Sequence, residues 1–273
     1  MPELPEVETT RRGIAPHLIG RRIQRLTVYD GRLRWPVPET LPALLQGRVI
    51  DAVERRSKYL LFRLRGGGTL LVHLGMTGSL RLFTRAPPRR LHDHVDVRFD
   101  GDMLLRYHDP RRFGAMLWVP ANAAAHPLLA SLGPEPFEDA FTAGYLYEKT
   151  RRRRTSIKVT LMDNHVVVGV GNIYANESLF RAGIRPATPA GRISRPRLAR
   201  LVTAVRDVLA EAIAKGGSTL RDFVDSRGEP GSFQLGYRVY GRAGLPCRVC
   251  RTPIRATRLG QRASFHCPRC QAR

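Results

Sequence analysis

The amino-acid sequence predicts an α+β protein with three parts: an N-terminal two-layered β-sandwich with an N-terminal helix, a C-terminal helical domain, and a β-hairpin that carries four cysteines. Three observations predict this fold class. Between about residues 22 and 119, short β-branched or apolar stretches are separated by glycine clusters, as strands are. After residue 139 the apolar residues recur at a helical period. All four cysteines lie within residues 247–270.

The composition indicates a globular protein with a polyanionic partner. The chain has 273 residues, of which 42% are hydrophobic, and 46 Lys and Arg against 23 Asp and Glu give a net charge of +23. Such a charge repels itself unless a polyanion neutralises it, so nucleic acid is the first candidate and an anionic membrane surface the second. We find neither an apolar run of about 18 residues nor a basic amphipathic anchor, which argues against a membrane partner. No signal peptide is visible, and we expect a cytoplasmic, nucleoid-associated protein.

The first part is placed at residues 1–132. A helix is predicted over Pro5–Arg12, because proline suits the first helical position and the glutamates of this stretch suit the positive end of a helix. Strands are predicted in the stretches RIQRLTVY, YLLFRL, TLLVHL and SLRLF. In HVDVRFDGDMLLRYHD, the pair Asp100-Gly101 predicts a hairpin turn.

The helical part follows a short connection. The GPEPFED segment is the expected linker, and residues 133–150 form the linker and the start of the helical domain, which we place at 151–235. Apolar residues on one face of a predicted long helix are Leu198, Leu201, Val202, Val205, Val208, Leu209 and Ile213. The glycine-rich stretch DSRGEPGSFQ near the end of this part is expected to be a mobile loop.

The last part, residues 236–273, contains the pattern C-x2-C-x16-C-x2-C. Its cysteines are Cys247, Cys250, Cys267 and Cys270. Four thiolates close the tetrahedral shell of zinc, so the spacing predicts one structural Zn²⁺ with no open position for water. A redox CxxC pair and an iron–sulfur cluster are the alternatives, but redox pairs usually lie in a βαβ setting that is absent here. His266 is a spare ligand at most.

Basic residues and glycines in the second half predict a phosphate-binding surface. Arg151–Arg154 and Lys158 place five cations within eight residues, and residues 231–273 contain nine arginines and no acidic residue. Between Gly169 and Asn172 the chain makes a tight turn, and Asn172 is expected to cap the next helix, whose N-terminal N–H groups attract anions. A solvated charged face and an ordinary packing joint between helices are the alternatives.

The amino terminus is a candidate nucleophile. Once the initiator methionine is removed, Pro2 carries a free secondary amine, and an α-amino group titrates near 7.7–8.0 against about 10.4 for lysine. An unprotonated amine can attack the C1′ carbon of a damaged nucleoside, and the adjacent Glu3 carboxyl can move protons. The alternative is a capped helix start without chemistry.

Seven stretches together resemble the bacterial formamidopyrimidine-DNA glycosylase family. They are MPELPEVETTRRGI, RRSKYLL, HLGMTGSLR, HDHVD, RYHDPRRFGA, LMDNHVVVGVGNIYANESLF and CRVC with QRASFHCPRCQ. The resemblance covers the chain from its first residue to its last. The related endonuclease VIII branch also begins with Pro-Glu, but it departs from PELPEVET and lacks HDPRRFG in this form.

The resemblance implies a role for each matching residue. It makes Pro2 the Schiff-base nucleophile and Glu3 the adjacent acid. Lys58 is then the proton donor for β-elimination and Arg262 the arginine of δ-elimination, and both contact phosphate. DNA-binding positions are His92, Arg111, Arg153 and, in a helix–two-turn–helix motif, Asn172. Residues that fill the hole left by an extruded nucleotide are Met76, Arg111 and Phe113.

Taken together, the resemblance implies a bifunctional DNA glycosylase/AP lyase. Such an enzyme excises 8-oxoguanine and formamidopyrimidines from duplex DNA and cuts the abasic site by β,δ-elimination. We expect a monomer with one structural Zn²⁺, no nucleotide or catalytic-metal cofactor, and a partner that is double-stranded DNA with oxidised bases or abasic sites. An endonuclease VIII-like enzyme for oxidised pyrimidines and a non-catalytic zinc-finger DNA-binding protein are the alternatives.

Without the resemblance, two of these side chains would be interpreted differently. Met76 would be a core residue at a strand end, because single apolar residues on strands are usually buried. Lys58 would be an unremarkable exposed lysine on the strand YLLF. The loop of residues 226–233 is expected to cover the extruded base.

Overall fold

A computed structural model describes residues 2–218 and 226–272. The chain divides into two compact units, Met1–Ala130 with Lys215–Ser232, and Ser131–Ala214 with Phe233–Arg273. The domain boundaries placed after residues 132, 150 and 235 stay predictions.

The first unit contains two antiparallel four-stranded sheets. The strand order is β1-β6-β7-β5 in one sheet and β2-β3-β4-β8 in the other. Helices are α1 (Leu4–Leu18), α2 (Leu41–Leu45) and α3 (Pro127–Ala130). Strands are β1 (Ile23–Val28), β2 (Ile50–Arg56), β3 (Tyr59–Leu64), β4 (Thr69–His73), β5 (Ser79–Phe83), β6 (Asp93–Phe99), β7 (Leu104–His108) and β8 (Ala115–Val119).

The predicted two-layered sandwich is confirmed, because alternate side chains of both sheets form one core. Val97 and Leu105 of one sheet share a hydrophobic cluster with Phe62 and Val72 of the other. Side chains alternate across a strand, so these positions face inward and their neighbours outward. The hairpin predicted at Asp100-Gly101 is also confirmed, since it joins β6 to β7.

Helix α1 is longer than predicted, running through Leu18 rather than ending at residue 12. Val7, Ile14 and Leu18 are fully buried and belong to the sandwich core cluster. Their burial against the sheets favours continuation of the helix. Pro16 lies in the last turn, where its missing N–H removes one hydrogen bond without ending the helix.

A charge cluster centred on the buried Glu8 joins α1 to β2. The carboxylate of Glu8 accepts from Arg11 at 2.9 Å, from Arg12 at 2.8 Å and from Arg55 of β2 at 3.2 Å. Burial by itself would raise the pKa of Glu8, but the hydrogen bonds and charges of these arginines outweigh burial and lower the pKa below its ordinary value.

This arrangement predicts an acid-sensitive contribution to stability. A carboxyl whose folded pKa is depressed stabilises the fold above its unfolded pKa of about 4.3, and the contribution is lost as the pH falls through the folded value. We expect Glu8→Gln to lower the free energy of unfolding at pH 7 by about 1–3 kcal/mol. Urea denaturation at neutral and acidic pH measures this, with the exposed Glu39→Gln as control. A deficit that does not shrink in acid contradicts the assignment.

The second unit is helical and ends in a hairpin. Helices are α4 (Ala143–Thr150), α5 (Ile157–Leu161), α6 (Asn172–Arg181) and α7 (Arg195–Ala214). Strands β9 (Arg255–Leu259) and β10 (Arg262–His266) pair antiparallel between the two cysteine pairs, as predicted. The apolar face predicted for α7 is buried except at Ile213, where the neighbouring Ala212 is buried instead. Within the described residues, no helix is long and apolar enough to cross a membrane.

Candidate active site and metal centre

The start of α1 is held by a carboxylate. Pro2 is buried and Glu3 is only 3% exposed. The backbone N–H of Glu3 donates to Glu6 Oε2 at 2.8 Å, and the backbone N–H of Ser218 donates to Glu6 Oε1 at 2.8 Å. Glu6 therefore fixes the backbone next to Pro2. Sequence reasoning missed this role, although a glutamate three residues after a helix cap is the signal of a capping box.

Lys58 lies in the turn between β2 and β3, so its placement on the strand was wrong. The turn is formed by Ser57, whose φ of 56° is in the left-handed region. Arg55 donates to the carbonyl of Ser57 at 3.0 Å, which supports this conformation. The turn leaves Lys58 half-buried at the end of the hairpin rather than on the face of a sheet.

Met76, Arg111 and Phe113 are placed on two loops at one end of the sandwich. Met76 is half-buried in the turn between β4 and β5, so the alternative of a core residue is wrong. Arg111 and Phe113 lie on the loop between β7 and β8, and both are exposed. The guanidinium of Arg111 lies 4.7 Å from the centre of the Phe113 ring, a cation–π contact.

A single hydroxyl joins these two loops. Thr77 Oγ1 donates to Asp109 Oδ1 at 2.6 Å and accepts from the backbone N–H of Arg111 at 3.1 Å. The Asp109 carboxylate is fully buried and also accepts from Tyr107 at 3.1 Å and from the backbone of Gly114 at 2.9 Å. Thr77 and Asp109 therefore position the Met76 turn against the Arg111 loop. Sequence reasoning missed both, because their contact spans 32 residues of chain.

His92 and His73 lie next to the residues that join the two loops. His92 is half-buried, its carbonyl accepts from the backbone N–H of Asp109 at 3.0 Å, and its ring contacts the rings of His94 and His108. Burial, assisted by the positive charge of Lys58, lowers the pKa of His73 to about 4. His73 is therefore neutral near pH 7, and its Nδ1 accepts from the backbone N–H of Gly75 at 3.1 Å, which orders the start of the Met76 turn.

The loop expected to cover an extruded base is described only in part. Residues 219–225, including Asp225 of that stretch, lie outside the described residues. The carbonyl of Ser226 accepts from the backbone N–H of Leu82 in β5 at 3.0 Å. Residues Ser218 and Ser232 form an isolated bridge. These contacts place both ends of the segment within the first unit, and its covering role stays a prediction.

In the second unit, the four predicted zinc ligands converge. The Sγ atoms of all four cysteines lie within 4.8 Å of one another, with Cys250 to Cys267 at 3.4 Å and Cys247 to Cys270 at 3.9 Å. Four sulfurs at about 2.3 Å from a tetrahedral zinc lie about 3.8 Å apart, so the cluster fits the ion. His266 is buried but is not part of this cluster.

Backbone N–H groups complete the shell around these sulfurs. The Cys247 sulfur accepts from the backbone of Val249, and the Cys267 sulfur accepts from the backbone of Cys270, both at 3.4 Å. Such contacts stabilise thiolate charge. The four cysteines are free of disulfide bonds in the described structure.

Lys158 does not belong to the predicted phosphate-binding surface. Its side chain is fully buried, and Nζ donates to the carbonyl of Ala263 at 2.7 Å and to Ser264 Oγ at 2.6 Å. A buried ammonium requires such acceptors, and it gains them from β10. Lys158 thus holds the strand that begins with Arg262, which is exposed at the hairpin turn.

Two further expectations for the second unit are refined. Gly171 rather than Asn172 is the N-cap of α6, and no side-chain cap bond forms, because Asn172 already has helical backbone. The Oδ1 atom of Asn172 is shielded from solvent and has no hydrogen-bond partner among the described residues. Within the arginine run, Arg153 pairs with Asp163 at 2.9 Å and is part-exposed.

Glu177 ties α6 to the segment before the first cysteine pair. Its carboxylate accepts from the backbone N–H groups of Arg238, Val239 and Tyr240 at 2.8–3.0 Å. Burial raises the pKa of Glu177, while the three N–H groups oppose the rise. This contact spans more than 60 residues, and no sequence signal indicated it.

Three family models match this chain. They are the formamidopyrimidine-DNA glycosylase N-terminal domain over residues 1–116, the formamidopyrimidine-DNA glycosylase H2TH domain over 132–224, and the zinc finger found in FPG and IleRS over 244–273. The third match favours zinc over the redox and iron–sulfur alternatives for the cysteine cluster.

Known proteins resemble the chain over its whole length. Formamidopyrimidine-DNA glycosylases of Methylococcus capsulatus and Burkholderia vietnamiensis are 58% and 59% identical, over 99% of this chain and 100% of each relative. The crystal structure of MutM (FPG) from Thermus thermophilus is 41% identical with a TM-score of 0.87, over 99% of this chain and 98% of that one. Lactococcus lactis Fpg, in a complex with DNA that contains an abasic site, is 32% identical with a TM-score of 0.90, over 99% and 100%. With this fold, this cysteine cluster and these full-length matches, the chain belongs to the formamidopyrimidine-DNA glycosylase family.

Proposed function

We propose that this protein is a bifunctional DNA glycosylase/AP lyase of base excision repair. It excises oxidised purines, 8-oxoguanine and formamidopyrimidines, from duplex DNA and then cuts the abasic site by β,δ-elimination. The observation that carries the proposal is the amino terminus: Pro2 and Glu3 are held at a buried helix start, in a chain whose full-length relatives are formamidopyrimidine-DNA glycosylases.

The first chemical step is assigned to Pro2. Its nitrogen attacks C1′, the N–C1′ bond forms, and the glycosidic bond breaks with its electron pair leaving on the base. The nitrogen then loses its proton, Glu3 supplies a proton to the ring oxygen of the sugar, and the ring opens to an iminium. Glu6 keeps both residues at the helix start through its bond to the Glu3 backbone.

The two elimination steps are assigned to residues on hairpin turns. In β-elimination a proton leaves C2′ and the 3′ phosphate departs, with Lys58 as proton donor and phosphate contact. In δ-elimination a proton leaves C4′ and the 5′ phosphate departs, with Arg262 as its phosphate contact. The zinc is structural, since its four thiolate ligands leave no position for water, and it holds the hairpin that presents Arg262.

Base extrusion is assigned to the two joined loops. A base inside the stack cannot be attacked, so it must leave the duplex and something must fill the space. Met76 and Phe113 are the apolar wedges, and Arg111 hydrogen-bonds the partner base. Phosphate contacts are assigned to His92, Arg153 and Asn172. With a net charge of +23, the protein is expected to associate with the bacterial nucleoid.

A lesion panel tests the function. Duplexes with 8-oxoguanine, a formamidopyrimidine, an oxidised pyrimidine or no lesion are incubated with the enzyme and with borohydride, which reduces the iminium to a stable adduct. We expect trapping and cleavage with both purine lesions. Preference for the oxidised pyrimidine would support the endonuclease VIII-like alternative, and a Lactococcus lactis FPG structure does contain DNA with an oxidised pyrimidine. Binding without any trapping would support the non-catalytic alternative.

The hydroxyl of Thr77 gives a sharper test of the extrusion step. Thr77→Val keeps the shape but leaves Asp109 and the Arg111 N–H without this partner, so we expect base excision from 8-oxoguanine duplex to fall about tenfold to a hundredfold. Cleavage of a preformed abasic site needs less extrusion and should change far less. Thr77→Ser is the matched control, because it retains the hydroxyl, and should restore excision. Equal losses on the two substrates would indicate a general packing defect.

A further inference from the structure

The second unit contains a cavity of about 460 Å³ that the proposed reaction does not use. Its lining residues are Arg185, Ala187, Thr188, Pro189, Arg192 and Arg197. We call it the arginine cavity. Three of the six are arginines and none is acidic, so the lining carries an uncompensated positive charge.

The three arginines also lack acidic partners elsewhere in the described chain. Arg185 is half-buried, and its Nε atom is shielded from solvent without a hydrogen-bond partner among the described residues. Arg197 donates to the carbonyl of Gly183 across 3.4 Å, a long hydrogen bond. By contrast, the nearby Arg181 pairs with Glu211 at 2.7 Å. A shielded guanidinium N–H without an acceptor is costly, and an anion bound in the cavity would supply that acceptor.

The wall of the cavity is built before any ligand arrives. The segment between α6 and α7 is fixed by backbone bonds, from Ile157 to the Thr188 carbonyl at 2.8 Å and from Ala190 to the Thr155 carbonyl at 2.9 Å. Gly191 lies so close to this neighbouring segment that an added Cβ would be 2.8 Å from the carbonyl of Arg151. A preformed cavity loses little entropy on binding.

The chemistry of the lining fits a phosphate group. Guanidinium groups bind phosphate oxygens through paired, charge-assisted hydrogen bonds, and the Thr188 hydroxyl adds a donor. Ala187 and Pro189 provide an apolar wall, and the volume lies in the usual range of small-ligand sites, about 300–1,000 Å³.

A phosphate bound in the arginine cavity would be a different one from the phosphate assigned to Asn172. Asn172 begins α6, a helix of 10 residues that is therefore about 15 Å long, and the cavity residues follow the other end of the helix. We propose that the arginine cavity is a second anion site, which binds either a phosphate of the DNA backbone away from the lesion or a free phosphorylated molecule such as a nucleotide or pyrophosphate.

Two arms of one experiment distinguish the sources. Isothermal titration calorimetry measures pyrophosphate and ATP binding to the zinc-loaded protein, and fluorescence anisotropy measures the salt dependence of binding to undamaged duplex. The cavity variant is Arg185→Gln with Arg197→Gln. The matched control is Arg25→Gln with Arg98→Gln. Both arginines are exposed in the first unit, and their substitution removes the same charge as the cavity variant does.

If the ligand is a free phosphorylated molecule, the cavity variant should bind pyrophosphate at least about tenfold more weakly, because it loses a charge-assisted hydrogen bond. The control variant should bind pyrophosphate as the native protein does. If the ligand is a DNA phosphate, pyrophosphate binding should not change. Instead, the plot of log K for duplex binding against log salt should be shallower in the cavity variant than in the control, by about one unit for each cavity arginine removed. If neither arm separates the cavity variant from the control, the proposal is overturned.

A second variant guards against misfolding of the first. Ala187 lines the cavity and is exposed, so Ala187→Glu adds a carboxylate to the lining while keeping all three arginines. We expect it to reproduce whichever loss the double variant shows, with zinc content and circular dichroism unchanged. Full binding by Ala187→Glu would overturn the proposal even if the double variant is impaired.

Discussion

A retained initiator methionine or an N-terminal tag will abolish both base excision and borohydride trapping, while the protein still folds, holds zinc and binds lesion DNA. Either extension converts the Pro2 nitrogen from an amine into an amide, whose lone pair is delocalised into the carbonyl and is no longer nucleophilic. Glu6 and the helix start are unaffected by this change, because their hydrogen bonds use the backbone of Glu3 and Ser218. The loss should therefore be chemical rather than structural.

The size of the loss in activity distinguishes a nucleophilic Pro2 from a residue that only caps the helix. Removal of a covalent nucleophile should reduce excision by several orders of magnitude, whereas a disturbed cap costs about 1 kcal/mol of stability. Pro2→Gly is the informative variant, since its primary amine still forms an imine and should retain part of the activity. Mass spectrometry of the borohydride-trapped complex identifies the nucleophile. A sugar adduct on Lys58, with Pro2 unmodified, would overturn the mechanism.

The sequence predicts best what neighbouring residues decide. The β6–β7 hairpin follows from a local turn, in which Gly101 and Asp102 adopt φ of 68° and 58°. The buried face of α7 follows from spacing, and the metal site from four thiols in two short motifs. Even Glu6 had a local signal, three residues after the helix cap.

Long-range contacts decide what the sequence could not predict. Lys158 belongs to a basic stretch and is locally identical to a solvated lysine, yet its acceptors are more than 100 residues away in β10. Thr77 and Asp109 meet only because the turn between β4 and β5 lies at the same end of the sandwich as the C-terminal end of β7. The resemblance to a family supplied candidate roles for Met76 and Arg111, but the hydroxyl that joins their loops becomes visible only in three dimensions.

Loss of one zinc ligand will strongly destabilise the β9–β10 hairpin. Zinc binding contributes about 10–16 kcal/mol to the folding of small zinc-finger peptides, comparable with the whole stability of a typical domain, about 5–15 kcal/mol. In Cys247→Ser or Cys270→Ser we therefore expect zinc to be released, the β9–β10 hairpin to unfold and tight DNA binding to be lost. Val249→Ser is the matched control, because this exposed residue lies between two ligands and offers only its backbone N–H to a sulfur.

The loss of structure should extend beyond the hairpin to α5 and α6. How far it extends tests the structural role of zinc more sharply than zinc release alone. β10 docks on the helices through Phe265, whose backbone donates to Asn176 Oδ1 at 2.7 Å, and through the bonds of Lys158 to Ala263. When the hairpin unfolds, a fully buried ammonium loses these acceptors, which costs several kcal/mol unless α5 opens to water. Hydrogen exchange followed by mass spectrometry should show lost protection in residues 244–272, partial loss in α5 and α6, and unchanged protection in β1–β8. A hairpin that stays protected in the zinc-free variant, or native protein purified without zinc, would contradict a structural role for the metal.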